Sequence, residues 1–132
     1  MSISLEVESI HDWLEGFSAA VRARDYELGR TFFADEVVGF GSVAKRCDGL
    51  QNLEKNQWRN VWDVTTGFEF DLDSAVVNQH EAMAWAACSW HSFGKSAADE
   101  PLLRRGRSTF IFRKQNHRWL AVHSHFSLEP VA

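Results

Sequence analysis

The sequence predicts an α+β domain, with three N-terminal helices packed on one face of a strongly curved, mainly antiparallel sheet. Three observations lead there. Up to about Asp63, apolar residues recur at three- and four-residue steps, the period of a helix with one buried face. Beyond Thr65 they alternate with polar residues to the end of the chain, the period of a strand. Clusters of turn formers separate the alternating runs closely enough to join antiparallel neighbours, and helices segregated from a sheet in this way define the α+β class.

In chain order, Val7, Ile10, Leu14, Phe17 and Val21, with Trp13 and Ala20 beside them, form the stripe of an amphipathic helix from about Glu6 to Arg24. Asp25 reads as the N-cap of a short second helix that runs through Phe32 and Phe33 to Ala34-Asp35. Val37 to Gly41 is a short strand whose glycines permit a bend or a close approach. Asp48-Gly49-Leu50-Gln51 resembles a capping box, and Leu50, Leu53, Trp58, Val61 and Trp62 give a third, less regular helical face ending near Asp63. Phe68, Phe70 and Leu72 then alternate with Glu69, Asp71 and Asp73. A turn at Asn78 to Glu81 leads into a strand from Ala82 to Phe93, and a polar loop from Gly94 to Pro101 into another from Leu103 to Arg113. A tight turn, Lys114 to His117, precedes the last strand, Trp119 to Leu128.

Composition restricts the function classes. With 132 residues, 45% hydrophobic and 24% charged, the chain suits one domain, 1–132, around a single core. A net charge of -4 offers no cationic footprint for phosphates, which argues against a nucleic-acid partner. No run of about 18 apolar residues occurs and Met1 to Glu6 has no basic start, so no membrane partner is expected. Cys47 and Cys88 lie apart, without metal-ligand spacing, as expected of a reduced, cytoplasmic protein. Six Trp and ten Phe against one Tyr call for a thick core, a lined cavity or an apolar interface.

Alternation divides the last strand into Leu120, Val122, Ser124, Phe126 and Leu128 on a core side, and Trp119, Ala121, His123, His125 and Ser127 on an outer side. Trp90, Arg105 and Arg107 share the outer parity with Trp119, His123 and His125. A surface rich in Trp, His and Arg and poor in Lys fits a protein interface, so self-association as a homodimer or larger is expected through these six residues. His123 and His125 could share an ion, but no third ligand is evident, and no metal or other cofactor is expected.

The element order, the stretch Phe33 to Gly41, and above all Arg113 to Ser127 resemble the nuclear transport factor 2-like superfamily. Within it the sequence is similar to SnoaL-like domains and to the association domain of calcium/calmodulin-dependent protein kinase II. The resemblance runs from about Val7 to Pro130 and is more specific for fold than for function, because this scaffold carries isomerases, dehydratases, cyclases, hydrolases and assembly modules. It implies a cone with a pocket at its open end and dimerisation on the outer sheet face. Carried over by position, it implies a pocket formed by Trp13, Phe17, Trp58, Trp62, Ser89, His91, Phe110, Ser124 and Phe126. The kinase domain's pocket arginines match Ser89, Phe110 and Phe126, so the resemblance implies an apolar or aromatic ligand and poor binding of small carboxylates.

The resemblance also implies where catalysis would sit. A ketosteroid isomerase-type pattern places an Asp near Gly41 and a Tyr near Phe17, and a limonene epoxide hydrolase-type pattern needs carboxylates on the pocket face; neither is present. His91, with Glu54 on the third helix as partner, is the remaining acid/base pair. Two readings follow: a small-molecule-binding protein, with or without isomerase, cyclase or dehydratase-type chemistry, and a non-catalytic association module. The rings either line a cavity or fill the cone as core.

Overall fold

A computed structural model describes residues 8–130. Its first helix, α1 (Ile10–Ala23), starts where Ser9 Oγ accepts the Asp12 N–H at 3.0 Å and ends at Arg24, whose φ of 53° stops the helical winding. Glu6 and Val7, assigned to this helix from the sequence, lie outside the described residues. Asp25 caps the second helix as expected, but α2 (Tyr26–Arg30) stops short of Phe32. Phe33 instead opens β1 (Phe33–Phe40), because Phe33 pairs with Ala121 and is buried against Trp13 and Phe17. Tertiary pairing overrides the helical spacing there.

Next come β2 (Cys47–Asp48) and a third helical run over residues 50–64. The capping box at Asp48 does not form: the N-cap is Gly49 and makes no side-chain cap bond, while the Asp48 carboxylate takes Arg46. The run is irregular because Glu54–Trp58 winds as a π-turn. The extra residue of such a turn re-aims the side chains that follow it, and Gln57 and Trp58 are both buried.

The remaining strands are β3 (Thr66–Phe70), β4 (Val76–His80), β5 (Met83–Lys95), β6 (Pro101–Gln115) and β7 (Arg118–Leu128). They form a seven-stranded sheet in the order β2-β1-β7-β6-β5-β3, with β4 sharing the β5 edge with β3. All pairings are antiparallel except β1 with β7. The segment expected to begin a turn at Asn78 is β4, and the chain reverses at Glu81-Ala82, with Glu81 at φ 53°.

Two features of register decide which side chains face the helices. First, β7 carries a bulge: Ile111 pairs with His123 but Phe112 with Ala121, leaving Val122 as the extra residue. A one-residue insertion reverses the facing of everything beyond it. Ser124 and Phe126 face the core side as expected, but toward the start of the strand Trp119 and Ala121, not Leu120 and Val122, are fully buried. Second, β5 presents Ala84, Ala86, Cys88, Trp90 and Ser92 inward, opposite Phe112, Phe110, Ser108, Gly106 and Arg104 of β6. Small faces large at Ala84/Phe112, Ala86/Phe110 and Trp90/Gly106, so the two strands interlock at close packing.

The core sits between α1 and the concave sheet face. Trp13 lies 4.9 Å from Phe110 and 4.8 Å from Phe112, and its Nε1 donates to the Phe32 carbonyl at 3.0 Å. This aromatic plug closes one end of the cone.

Candidate functional site

At the other end the rings do not quite meet. A cleft of about 40 Å³ remains, opening to solvent. Phe17 and Val21 of α1, Leu53, Trp58 and Trp62 of the third helical run, and Phe68, Trp90 and Phe126 of the sheet form its apolar walls. Trp58 and Trp62 stack at 4.7 Å, and Tyr26 continues the stack from outside, 4.9 Å from Trp62. The Tyr26 hydroxyl donates to Asp63 at 2.5 Å, and burial together with that carboxylate pushes its pKa up to about 12. The single tyrosine is thereby held as a hydrogen-bond donor to Asp63.

The polar lining is Gln57, Ser42, Thr65, Ser92, Ser124 and Arg104. Gln57 serves the fold: its Oε1 accepts the N–H groups of Val43 and Ala44 at 3.1 and 2.7 Å, and its Nε2 donates to Ser42 Oγ at 3.2 Å. A Cβ on Gly41, just past the end of β1, would come within 2.2 Å of that carboxamide, so a larger residue there would displace Gln57 from these bonds. Arg104, half-buried on the inward face of β6, has no ion-pair partner among the described residues. Trp90 Nε1 is buried without an acceptor, which costs about 1–3 kcal/mol.

Of the residues expected to form the pocket, Phe17, Trp58, Trp62, Ser124 and Phe126 line this cleft. Trp13 and Phe110 do not; they belong to the plug behind it, at 0% exposure. Ser89 and His91 are on the opposite sheet face, a consequence of the β5 register. The expected pairing of His91 with Glu54 is also corrected. His91 Nδ1 lies 2.9 Å from Asp71 Oδ1, and Nε2 lies 3.6 Å from Glu69 Oε2. Glu54 sits on the helical side, bound to Arg30 at 2.5 Å and Arg59 at 2.6 Å. Burial works to raise its pKa, but the hydrogen bonds from the two guanidinium groups outweigh that and hold it below the usual carboxylate range.

The expected interface set divides. Arg105, Arg107 and His125 are exposed on the outer face, and His123 is half-buried there with Nδ1 2.7 Å from the Val38 carbonyl oxygen. Trp90 and Trp119 are core residues, at 5% and 0% exposure, and cannot meet a partner. The outer face instead shows Met83, Trp85 and Ile111, with Trp85 directly paired to Ile111. Sequence reasoning missed Arg104 and Gln57. Arg104 was legible only as one of several arginines in a polar-looking strand start, and Gln57 depends on a π-turn that no periodicity announces.

A cone of helices wrapped by a bent mixed sheet, plugged at one end and cleft at the other, defines a nuclear transport factor 2-like fold. A SnoaL-like domain model matches residues 10–132, so the chain belongs to the SnoaL-like family. Among solved structures, a nuclear transport factor 2-like protein of unknown function from Pseudomonas putida KT2440 is 27% identical, with a TM-score of 0.74 over 99% of this chain and 92% of that one. A candidate calcium/calmodulin-dependent protein kinase II association domain from Xanthomonas campestris superposes with a TM-score of 0.80 at 14% identity, covering 93% of this chain and 87% of that one. A ketosteroid isomerase-like protein from Erwinia carotovora atroseptica gives 0.76 at 14% identity, over 98% and 100%. No curated protein matches the sequence. Among the described residues no helix is long and apolar enough to cross a membrane.

Proposed function

We propose that this protein binds a small apolar or aromatic molecule in the open end of the cone and acts as a homodimer. The observation that carries the reading is the cleft's lining: aromatic walls with a few polar points, the usual make-up of a small-molecule site. Among the described residues no Asp, Glu, His, Cys or Tyr lines it. Acid–base chemistry of the isomerase or dehydratase type therefore has no proton carrier there, and binding is the better-supported role. The Cys88 thiol, with its pKa pushed up by burial, is an inert packing group. Two free, buried cysteines support a reducing, cytoplasmic setting.

The homodimer rests on a separate observation, the exposed Met83, Trp85 and Ile111 beside Arg105, Arg107 and His125 on one sheet face. Contiguous apolar surface rimmed by polar groups suits an association surface. That arrangement also keeps the association-module reading alive, with the cleft as a passive remnant.

A thermal-shift titration with single-ring aromatic compounds tests the cleft. A ligand of the native state should raise the melting temperature, and Ser124→Leu, which fills the cleft, should abolish the effect. His91→Ala should leave it unchanged. If Ser124→Leu retains the full shift, the ligand sits elsewhere and the reading fails.

A further inference from the structure

Resting on the reading of the cleft as a binding site, we propose that its ligand is a small aromatic acid, with the ring against the aromatic walls and the carboxylate on Arg104. Three observations converge. The first is the polarity of the groups left free. Arg104 and Ser92 are a cross-strand pair, and Trp90 and Gly106 are the next pair on the same inward face. Arg104, Ser92 and, across the cleft, Ser124 all line it, and none of their side chains is hydrogen-bonded to another described residue, while the Trp90 N–H beside them is buried without an acceptor. Arginine only donates, and a hydroxyl can donate. The one amide oxygen in the lining, Gln57 Oε1, is taken by Val43 and Ala44. A ligand that satisfies this set must bring acceptors.

The second observation concerns counter-ions. The open groove beyond Arg104 contains Asp63 and Asp99, but neither is within ion-pair distance of it: Asp63 accepts the Tyr26 hydroxyl and Asp99 lies 3.3 Å from Lys95. A planar guanidinium with no carboxylate of its own suits a two-pronged carboxylate from outside. The third is size. At 40 Å³ the cleft holds about three waters, each needing ~10–15 Å³ on this measure and displacing ~30 Å³ of liquid, so the space is on the order of one aromatic ring. The sequence-based expectation that small carboxylates bind poorly is reversed here, because it considered only the positions of Ser89, Phe110 and Phe126.

Calorimetric titration of the wild-type protein with benzoate and benzyl alcohol at neutral pH tests this. Benzoate should bind at least about tenfold more tightly than benzyl alcohol, the size expected for a charge-assisted hydrogen bond. Arg104→Gln should remove that preference, bringing the affinities for the acid and the alcohol together, while Arg104→Lys should keep part of it. Equal affinity for acid and alcohol in the wild type, or a preference for benzoate that survives in Arg104→Gln, overturns the proposal while the cleft reading stands. Binding of neither compound, or equal binding to Ser124→Leu, overturns both. Circular dichroism of each variant separates a lost contact from a lost fold, and Arg104→Lys, which keeps the long stem, serves if Arg104→Gln misfolds.

Discussion

A methyl group at Gly106 tests the strand facing on which the whole site depends. A Cβ there would lie 2.1 Å from Cζ2 and 2.2 Å from Cε2 of Trp90, and 2.4 Å from the Ser127 carbonyl oxygen. Carbon atoms pack at about 3.5–4.0 Å, so the indole must retreat by more than about 1 Å. It has little room, being 5% exposed with Phe68 and Phe126 at 5.6 and 6.2 Å. The Ser127 carbonyl belongs to β7 and moves only if the β6–β7 ladder opens. Overpacking a core costs about 1–3 kcal/mol, and a clash with backbone belongs at the top of that range, about 3 kcal/mol. With an unfolding entropy of ~2.1 cal/mol/K per residue, the 132-residue chain should lose about 10 °C in Tm in the Gly106→Ala variant. Differential scanning calorimetry reads this directly. Adding Trp90→Phe should recover part of the loss by removing the larger ring. A drop under about 2 °C would refute the argument, because it would mean that Trp90 does not lie over Gly106 and that β5 faces the other way.

The remaining predictions concern charge and assembly. Because Glu54 is held below the usual carboxylate range, its ion pairs stabilise the fold fully above the unfolded pKa of ~4.3 and cease to do so as pH falls through the lower folded value. Glu54→Gln should therefore cost about 1 kcal/mol at neutral pH, and the gap between variant and wild type in urea melts should close below about pH 4. A gap that widens in acid would contradict the assignment of Arg30 and Arg59 as its partners. For assembly, sedimentation at micromolar concentration should show a dimer that Ile111→Arg converts to a folded monomer. A wild-type monomer would remove the outer face as an interface.

The helical and strand periods, the capping aspartate Asp25, and the turn over Lys114 to His117 were all legible as local chemistry. They depend on neighbours a few residues away, and they suffice for an α+β class and for the side of α1 that meets the sheet. Phe17 lies on the face of α1 that its own spacing marks as buried, whereas the place of Trp58 and Trp62 in the cleft walls was implied by the family resemblance and depends on the π-turn over Glu54–Trp58.

Facing along the sheet is a different kind of quantity. Alternation says which residues of a strand share a side but not which side is inward, and in β5 both sets carry a tryptophan, Trp85 and Trp90. The choice is made by register: the hairpin loop after Lys95 brings that residue opposite Pro101, which puts Gly106 across from Trp90. A shift of one residue would have put Trp85 and His91 on the cleft side. In β7 the bulge at Val122 breaks the alternation itself, allowing Trp119 and Phe126 to face the core from opposite parities. The amino-acid sequence by itself determined the class, most of the elements and the buried face of α1, because those follow from short-range periodicity. Only the tertiary structure decided the strand half of the cleft, including Arg104, because strand facing is settled by packing large side chains against small ones across the sheet.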